Sequence, residues 1–167
     1  MKIRLSGIIP ESIVDGLGIR MTIFTQGCHH HCPHCHNPQT HDPMGGYEID
    51  TDIILNQLKE NPLLDGITLS GGEPFLQPSA CTALAVGTHA MGLSVWTYTG
   101  YTWEELLEQE DVDIQKLLAA TDVLVDGRFQ KEQSSYILRF KGSANQRIID
   151  VKKSLSTGIL TEYLLDN

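Results

Sequence analysis

The stretch "IRMTIFTQGCHHHCPHC", residues 19–35, joins an apolar, β-branched run to a loop rich in cysteine and histidine. The run has the composition of a buried strand, and similar runs occur at four later places in the chain. They predict strands at residues 19–26, 66–72, 93–100, 122–127 and 146–151. The cysteine loop therefore begins where the first predicted strand ends.

Apolar residues with helical spacing lie between these strands. Ile54, Leu55 and Leu58 share one helix face, and a segment led by Ser79 stops at Gly92. Apolar residues spaced i, i+3, i+4 predict two further helices. The first contains Trp103, Leu106 and Leu107 and begins with a capping box of Thr102 and Glu105. The second contains Ile114, Leu117 and Leu118. Strands that alternate with helices predict the α/β class and a sheet of parallel strands.

Polar or glycine-bearing segments end the predicted strands: "TQGC", "LSGGEP", "TYTG" and "VDGR". In open parallel sheets, ligands bind outside the carboxyl ends of the strands. Glycine at such places lets backbone groups approach a ligand closely. The sequence therefore predicts one functional rim, and the cysteine loop lies on it.

Length and charge narrow the class of protein. The 167 residues suit one domain over 1–167, and the net charge of −9 argues against a nucleic-acid binder. No run approaches the roughly 18 apolar residues of a membrane span, and "MKIRLSGIIPES" lacks the features of a secretory signal. We expect a cytoplasmic enzyme that acts on a small molecule or docks on another protein, with no nucleic-acid or membrane partner.

Three of the four cysteines, Cys28, Cys32 and Cys35, have the spacing C-x3-C-x2-C. The fourth, Cys81, lies in a predicted helix, where a free cysteine is typically a small core residue. Three thiolates on an iron–sulfur cluster would leave one iron open for a substrate. The loop histidines could instead complete a closed Cys₃His zinc site, and the loop alone leaves both interpretations open.

The cysteine triplet followed by "SGGEP" (70–74) resembles the radical S-adenosylmethionine superfamily. The resemblance implies one 4Fe–4S cluster on the three cysteines, with its open iron chelated by the amino and carboxylate groups of S-adenosylmethionine. It implies that Gly71, Gly72 and Glu73 contact the methionine end. Because a complete eight-stranded barrel takes roughly 250 residues, we expect an open, partial (βα) barrel of the radical-SAM type.

Four further segments resemble one branch of this superfamily, the activating enzymes of anaerobic (class III) ribonucleoside-triphosphate reductase; they are "SIVDGLGIR" (12–20), "WTYTGYTWEEL" (96–106), "VLVDGRF" (123–129) and "KGSANQRIIDV" (141–151). The resemblance implies reductive cleavage of S-adenosylmethionine and abstraction of a hydrogen atom from a backbone glycine of the reductase. Reduced flavodoxin or ferredoxin is the implied electron donor. No catalytic residue is expected beyond the cluster and S-adenosylmethionine.

The resemblance also implies cofactor contacts at His34, Cys35 and His36, with His34 at a position near adenine where the family often has an aromatic residue. Asp126 and Arg128 resemble an Asp-x-Lys pair that approaches the cofactor. The residues Asp15, Gly16, Gly18 and Arg20 would form part of the glycine-loop channel, or only a turn with an ion pair. "KGSANQR" would dock the reductase or simply join two strands.

Two other functions remain open at this point. One is a small radical S-adenosylmethionine enzyme that acts on a metabolite, such as a carboxy-deazaguanine synthase-like protein, or on a different glycyl-radical enzyme. The other is a zinc-stabilised interaction domain, which would be colourless and would tolerate changes in "SGGEP".

Overall fold

The computed structural model describes residues 1–165 and contains one seven-stranded sheet in the order β3-β1-β2-β4-β5-β6-β7. The strands are β1 Lys2–Ser12, β2 Arg20–Thr25, β3 Tyr47–Asp50, β4 Gly66–Gly71, β5 Ser94–Tyr98, β6 Val123–Asp126 and β7 Arg147–Asp150. The four central strands β2, β4, β5 and β6 are parallel, which confirms a mixed α/β fold with parallel strands.

At its edges, the sheet departs from the prediction that all of its strands are parallel. β1 pairs antiparallel with both β2 and β3, and β7 pairs antiparallel with β6. β1 and β3 have no counterpart among the predicted strands. The register of β1 against β2 shifts between Leu5 and Gly7 and again between Ile9 and Ser12. These irregularities break the two-residue alternation by which a strand is identified in sequence.

Five helices accompany the sheet: α1 Thr51–Glu60, α2 Pro78–Ala90, α3 Trp103–Leu107, α4 Val112–Ala120 and α5 Val151–Thr157. The first four match the predicted helical segments. The capping box of Thr102 and Glu105 forms at the start of α3 as predicted, and Cys81 is completely buried in α2, also as predicted. Within residues 1–165, no helix combines the length and apolar character needed to cross a membrane.

Different parts of the chain pack on the two faces of the sheet. Val95 and Leu124 belong to the main apolar core, which the helices share, whereas Trp96 and Val125 belong to a smaller cluster. Neighbouring strand residues point to opposite faces, so the smaller cluster lies on the second face. Leu17 and Phe140 pack there from connecting segments, and Tyr163 packs there from the segment that follows α5. The second face is thus covered by loops, which leave room for a cavity.

Candidate functional site

The carboxyl ends of the central strands open into a cavity of about 550 Å³ on the second face of the sheet. Cys28, Cys32 and Cys35 line it together with Gly71 and Gly72. The structure thus brings the cysteine triplet and the "SGGEP" segment to one place, although 34 residues lie between Cys35 and Ser70 in the chain. The predicted functional rim is confirmed as a place where these segments meet.

Backbone hydrogen bonds hold the cysteine loop at its base. The Gly27 amide donates to the Thr40 carbonyl at 2.6 Å, and the Cys28 amide donates to the His41 carbonyl at 3.2 Å. The Glu73 amide donates to the Gly27 carbonyl at 2.8 Å, so the end of β4 is bonded to the start of the loop. The loop is therefore closed on itself and attached to the sheet.

The two glycines of "SGGEP" allow this close attachment. Gly71 has φ of +95°, and a Cβ there would lie 2.5 Å from the Thr25 amide nitrogen. A Cβ on Gly72 would collide with the Gly27 carbonyl. Both positions therefore require glycine for the backbone to pack.

The three loop thiols are chemically suited to an iron–sulfur cluster. They are half-buried and form no disulfide, and soft thiolates are the typical ligands of such clusters. The pKa of Cys28 is raised, chiefly because burial removes its thiolate from water, and also by the negative charges of Glu73 and the other two cysteines. A positively charged metal centre would offset this cost and favour the thiolates. The donor set therefore fits the cluster that the sequence predicts.

The zinc alternative uses the same loop thiols as the cluster. Among residues 1–165, no group of three or more His, Cys, Asp or Glu side chains, the cysteine triplet included, is arranged to hold a metal ion. His36 lines the cavity with its ring 4.5 Å from that of Phe129, whereas His34 is exposed and has φ of +59°.

His30 in the cysteine loop and Glu73 at the end of β4 form a buried pair. His30 Nε2 and Glu73 Oε1 are 2.6 Å apart, and their side chains are 3% and 0% exposed. The Glu73 carboxylate also accepts hydrogen bonds from the Thr99 hydroxyl, from the Gly100 amide at 2.8 Å and from the Phe75 amide at 3.1 Å. Nothing in the local sequence distinguishes His30 from the five other loop histidines.

The predicted cofactor residues Glu73, Asp126 and Arg128 have no side chain in the wall of the cavity. Glu73 is engaged as described above. Asp126 is buried and accepts hydrogen bonds from the Trp103 amide and from Arg147, while Arg128 is exposed and pairs with Glu105 at 3.0 Å. Glu73 and Arg128 still lie close enough to the thiols to interact electrostatically with Cys28 and Cys32, and the contact of all three residues with a cofactor stays a prediction.

The "SIVDGLGIR" segment divides between the two ends of the sheet. Asp15 lines the cavity and accepts hydrogen bonds from the Ser12 and Thr22 hydroxyls. Arg20 is buried at the opposite end, where it donates to the carbonyls of Leu17, Ile67 and Ser94. Burial lowers its pKa to about 10. No carboxylate in residues 1–165 forms an ion pair with it, so the expected turn with an ion pair is absent.

The "KGSANQR" segment borders the cavity and leads into β7. Lys141, Gly142 and Gln146 line the cavity, and the Gln146 side chain bonds to the Gly142 amide and the Gly127 carbonyl. Its interpretation as a loop joining two strands is confirmed, since it lies in the connection between β6 and β7, and it also forms a wall of the cavity. Docking of a partner on it stays a prediction.

Comparison with known proteins adds to this geometry. Residues 14–149 match the family model described as "4Fe-4S single cluster domain". The chain is 36% identical over 148 residues to an anaerobic ribonucleoside-triphosphate reductase-activating protein of Vibrio cholerae, which covers 83% of this chain and 92% of that protein. The protein of the same name from Haemophilus influenzae is 35% identical over 147 residues, with the same coverage. This chain belongs to the family of anaerobic ribonucleoside-triphosphate reductase-activating proteins.

The resemblance seen in the sequence is thereby confirmed at the level of the family. Among solved structures, that of QueE from Escherichia coli shares 15% identity and covers 61% of this activating-protein chain and 54% of its own, with a TM-score of 0.47. That likeness is too distant to add to the argument. The assignment to the activating-protein family rests on the sequence matches and on the cysteine cavity.

Proposed function

We propose that this chain is an oxidoreductase that activates an anaerobic ribonucleoside-triphosphate reductase by generating a glycyl radical on it. The observation that supports the proposal best is the meeting of three half-buried thiols and the glycine-rich end of β4 on one open cavity. The relatives that carry the activating-protein name point to the reductase as the partner. Reduced flavodoxin or ferredoxin is the proposed electron donor.

The proposed site uses the chain's residues mainly to bind and orient. Cys28, Cys32 and Cys35 would hold one 4Fe–4S cluster, with one iron left for S-adenosylmethionine. When bound, the cluster would supply the electron for reductive cleavage of S-adenosylmethionine and thereby the radical chemistry needed to remove a hydrogen atom from the glycine Cα. Gly71 and Gly72 leave the β4 end without side chains beside the cluster site. His34, His36, Glu73, Asp126 and Arg128 stay predicted contacts.

The proposal also includes an interpretation of the fold. We interpret the sheet as an open, partial barrel of the radical-SAM type that forms a single domain over 1–167, with antiparallel strands at both edges. Loops rather than helices cover the second face, so a polypeptide can approach the cysteine cavity from that side. A cytoplasmic location, where thiols stay reduced, fits the four free cysteines.

The test is release of 5′-deoxyadenosine by anaerobically reconstituted, dithionite-reduced protein. We expect release from the wild type and from Cys81→Ala, and none from Cys32→Ala, which differs by the same substitution inside the loop. Electron paramagnetic resonance should then detect a glycyl radical on the reductase.

Three other results would contradict parts of the proposal. Release without a glycyl radical on any reductase would assign the chain a metabolite or a different glycyl-radical enzyme as its target. Release that persists in Cys32→Ala would remove the cysteine triplet from the reaction. Colourless protein that binds zinc without inorganic sulfide would make the loop a structural site.

A further inference from the structure

Part of β1 has a backbone edge that no other strand covers. β3 pairs with residues 2–5 of β1, whereas β2 pairs with β1 as far as Ser12. These two strands are the neighbours of β1 in the sheet, and within residues 1–165 no backbone hydrogen bond from elsewhere reaches residues 7–9. An uncovered strand edge presents N–H and C=O groups that can pair with another chain.

The alternation of hydrogen bonds between β1 and β2 identifies the free backbone groups. The Gln26 amide donates to the Arg4 carbonyl at 3.0 Å, so the even-numbered residues of β2 turn their backbone groups towards β1. Gly7 and Ile9 are the register partners of two of these residues, and their backbone groups therefore face β2. Ile8 lies between them, so its N–H and C=O face the uncovered edge.

The uncovered run is short and is bounded at both ends. The register shift between Leu5 and Gly7 precedes it, and Pro10, which has no N–H to donate, follows it. Bulges and prolines prevent whole sheets from associating edge to edge. The edge therefore suits a short extended segment that pairs at Ile8 and does not suit a long strand.

This run borders the cysteine cavity. The Ile8 side chain packs against the main core, so Gly7 and Ile9 on either side of it point to the second face of the sheet. Ile9 lines the cavity on that face, together with Phe24, the register partner of Gly7. A Cβ on Gly7 would meet nothing within 4 Å, so this glycine leaves open space beside the edge.

We propose that the glycine-bearing segment of the reductase binds as an extended strand along this edge, with one of its residues paired to the N–H and C=O of Ile8. The inference rests on the proposed function. The hydrogen atom to be removed there belongs to a backbone Cα, and glycine offers no side chain by which its position is recognised. Strand pairing positions a segment through its main chain and removes the large conformational freedom of glycine. β1 thus holds the segment beside the three thiols.

Amide hydrogen exchange tests this pairing. Cluster-loaded protein is compared alone and in complex with the full-length reductase, without oxygen. We expect exchange of the Ile8 amide to slow at least about tenfold in the complex, because a hydrogen-bonded amide is protected. The Glu48 amide is the control, since its register partner Arg4 turns to β2 and leaves Glu48 facing the outer edge of the sheet, away from the cavity lining.

A proline substitution tests the same contact by binding. Ile8→Pro removes the outward N–H and keeps the bonds to β2, and proline is tolerated where the N–H of an edge strand faces solvent. Ile8→Ala shortens the side chain and keeps the N–H, so it is the matched control. We expect the Kd for the reductase to be about 3- to 10-fold higher in Ile8→Pro than in Ile8→Ala. Iron and sulfide content would be matched, and if Ile8→Pro does not fold, the exchange measurement decides.

Unchanged exchange at Ile8 in a complex that forms the glycyl radical would overturn the inference, as would equal slowing at Ile8 and Glu48. Equal Kd values for Ile8→Pro and Ile8→Ala would show that the backbone N–H is not used, which also overturns it. A wild type that forms neither a complex with the reductase nor a glycyl radical would contradict the proposed function instead. The two failures are therefore distinguishable.

Discussion

Gly71 is a residue at which a single Cβ would separate the end of β4 from β2. It combines a left-handed φ of +95° with backbone 2.5 Å from the ideal Cβ position. Gly92 also has a positive φ, of +75°, but nothing lies within 4 Å of its Cβ position. Substitutions at these two glycines therefore separate the energetic cost of backbone strain from that of close packing.

We predict that Gly92→Ala lowers the free energy of unfolding by about 1–2 kcal/mol, which is the cost of the left-handed conformation alone. Gly71→Ala should lower it by about 2–5 kcal/mol, because overpacking adds to that strain. Urea unfolding of the iron-free protein measures both. Equal losses in the two variants would mean that the β4 end does not pack against β2 as described.

Burial makes Cys81 differ from the three loop cysteines. Its side chain is completely buried, and burial raises its pKa far above the usual range. The thiolate is the reactive form, and a buried thiol is inaccessible to reagents. We predict that iodoacetamide modifies Cys28, Cys32 and Cys35 in folded, iron-free protein, and Cys81 only after unfolding. Mass spectrometry of the labelled peptides checks this, and early labelling of Cys81 would contradict its place in the core.

At the scale of elements, α3 is fastened to the ends of β6 and β7 by ion pairs. Arg147 contacts the buried Asp126 at 2.6 Å and the exposed Glu104 at 2.7 Å. Among residues 1–165, the Arg128 guanidinium forms an ion pair with Glu105 alone, and both of those side chains are more than a third exposed. The two arginines therefore differ in whether a buried charge depends on them.

We predict that Arg147→Met lowers the free energy of unfolding by about 1–3 kcal/mol, because Asp126 loses its cationic partner in the interior. Arg128→Met should lower it by no more than about 1 kcal/mol, since its pair is exposed and screened. Chemical denaturation of the two variants measures the difference. A larger loss in Arg128→Met would contradict the arrangement.

The first turn of α3 should also make stability depend on pH. Hydrogen bonding to Arg128 lowers the pKa of Glu105 from 4.5 to about 2. A carboxylate with a depressed pKa stabilises the fold above its usual pKa, and this contribution is lost as the pH falls through the lower value. We predict that the melting temperature of iron-free protein falls between pH 4.5 and about 2, and falls less steeply in Glu105→Gln. Parallel curves would contradict the prediction.

The whole molecule carries a net charge of −9, yet residues 128–141 contain four of its 12 Lys and Arg residues and a single Glu. In the same segment, Tyr136 is fully exposed and Ile137 is 89% exposed, while the adjacent Leu138 lines the cysteine cavity. Residues 128–141 thus form an apolar and basic edge beside the cysteine cavity. The proposed function requires the glycine-bearing segment of the reductase to enter the cavity, and we expect it to pass over this edge.

We predict that the double variant Tyr136→Ser, Ile137→Ser releases 5′-deoxyadenosine from S-adenosylmethionine alone within twofold of the wild type. The yield of glycyl radical on the reductase should fall at least about tenfold, since two exposed apolar contacts with the partner are removed. The exposed pair Met44→Ser, Leu63→Ser, which lies outside the lining of the cavity, is the control. Equal radical yields in both double variants would place the partner elsewhere.

The sequence by itself determined the central strands, four of the helices, the capping box of α3 and the membership of Cys28, Cys32 and Cys35 in one loop. These features depend on residues close together in the chain, through apolar periodicity, turn chemistry and motif spacing. The glycines of "SGGEP" could likewise be identified, because a local backbone need dictates them.

Only the tertiary structure decided the antiparallel edges of the sheet and the partners of the polar side chains. The register shifts of β1 conceal it from the sequence pattern, and the motifs that contain Glu73 and Asp126 do not indicate the buried partners of these carboxylates. Their partners His30 and Arg147 lie 43 and 21 residues away in the chain. Such pairing is set by which elements become neighbours in the fold, and local patterns carry no information about that.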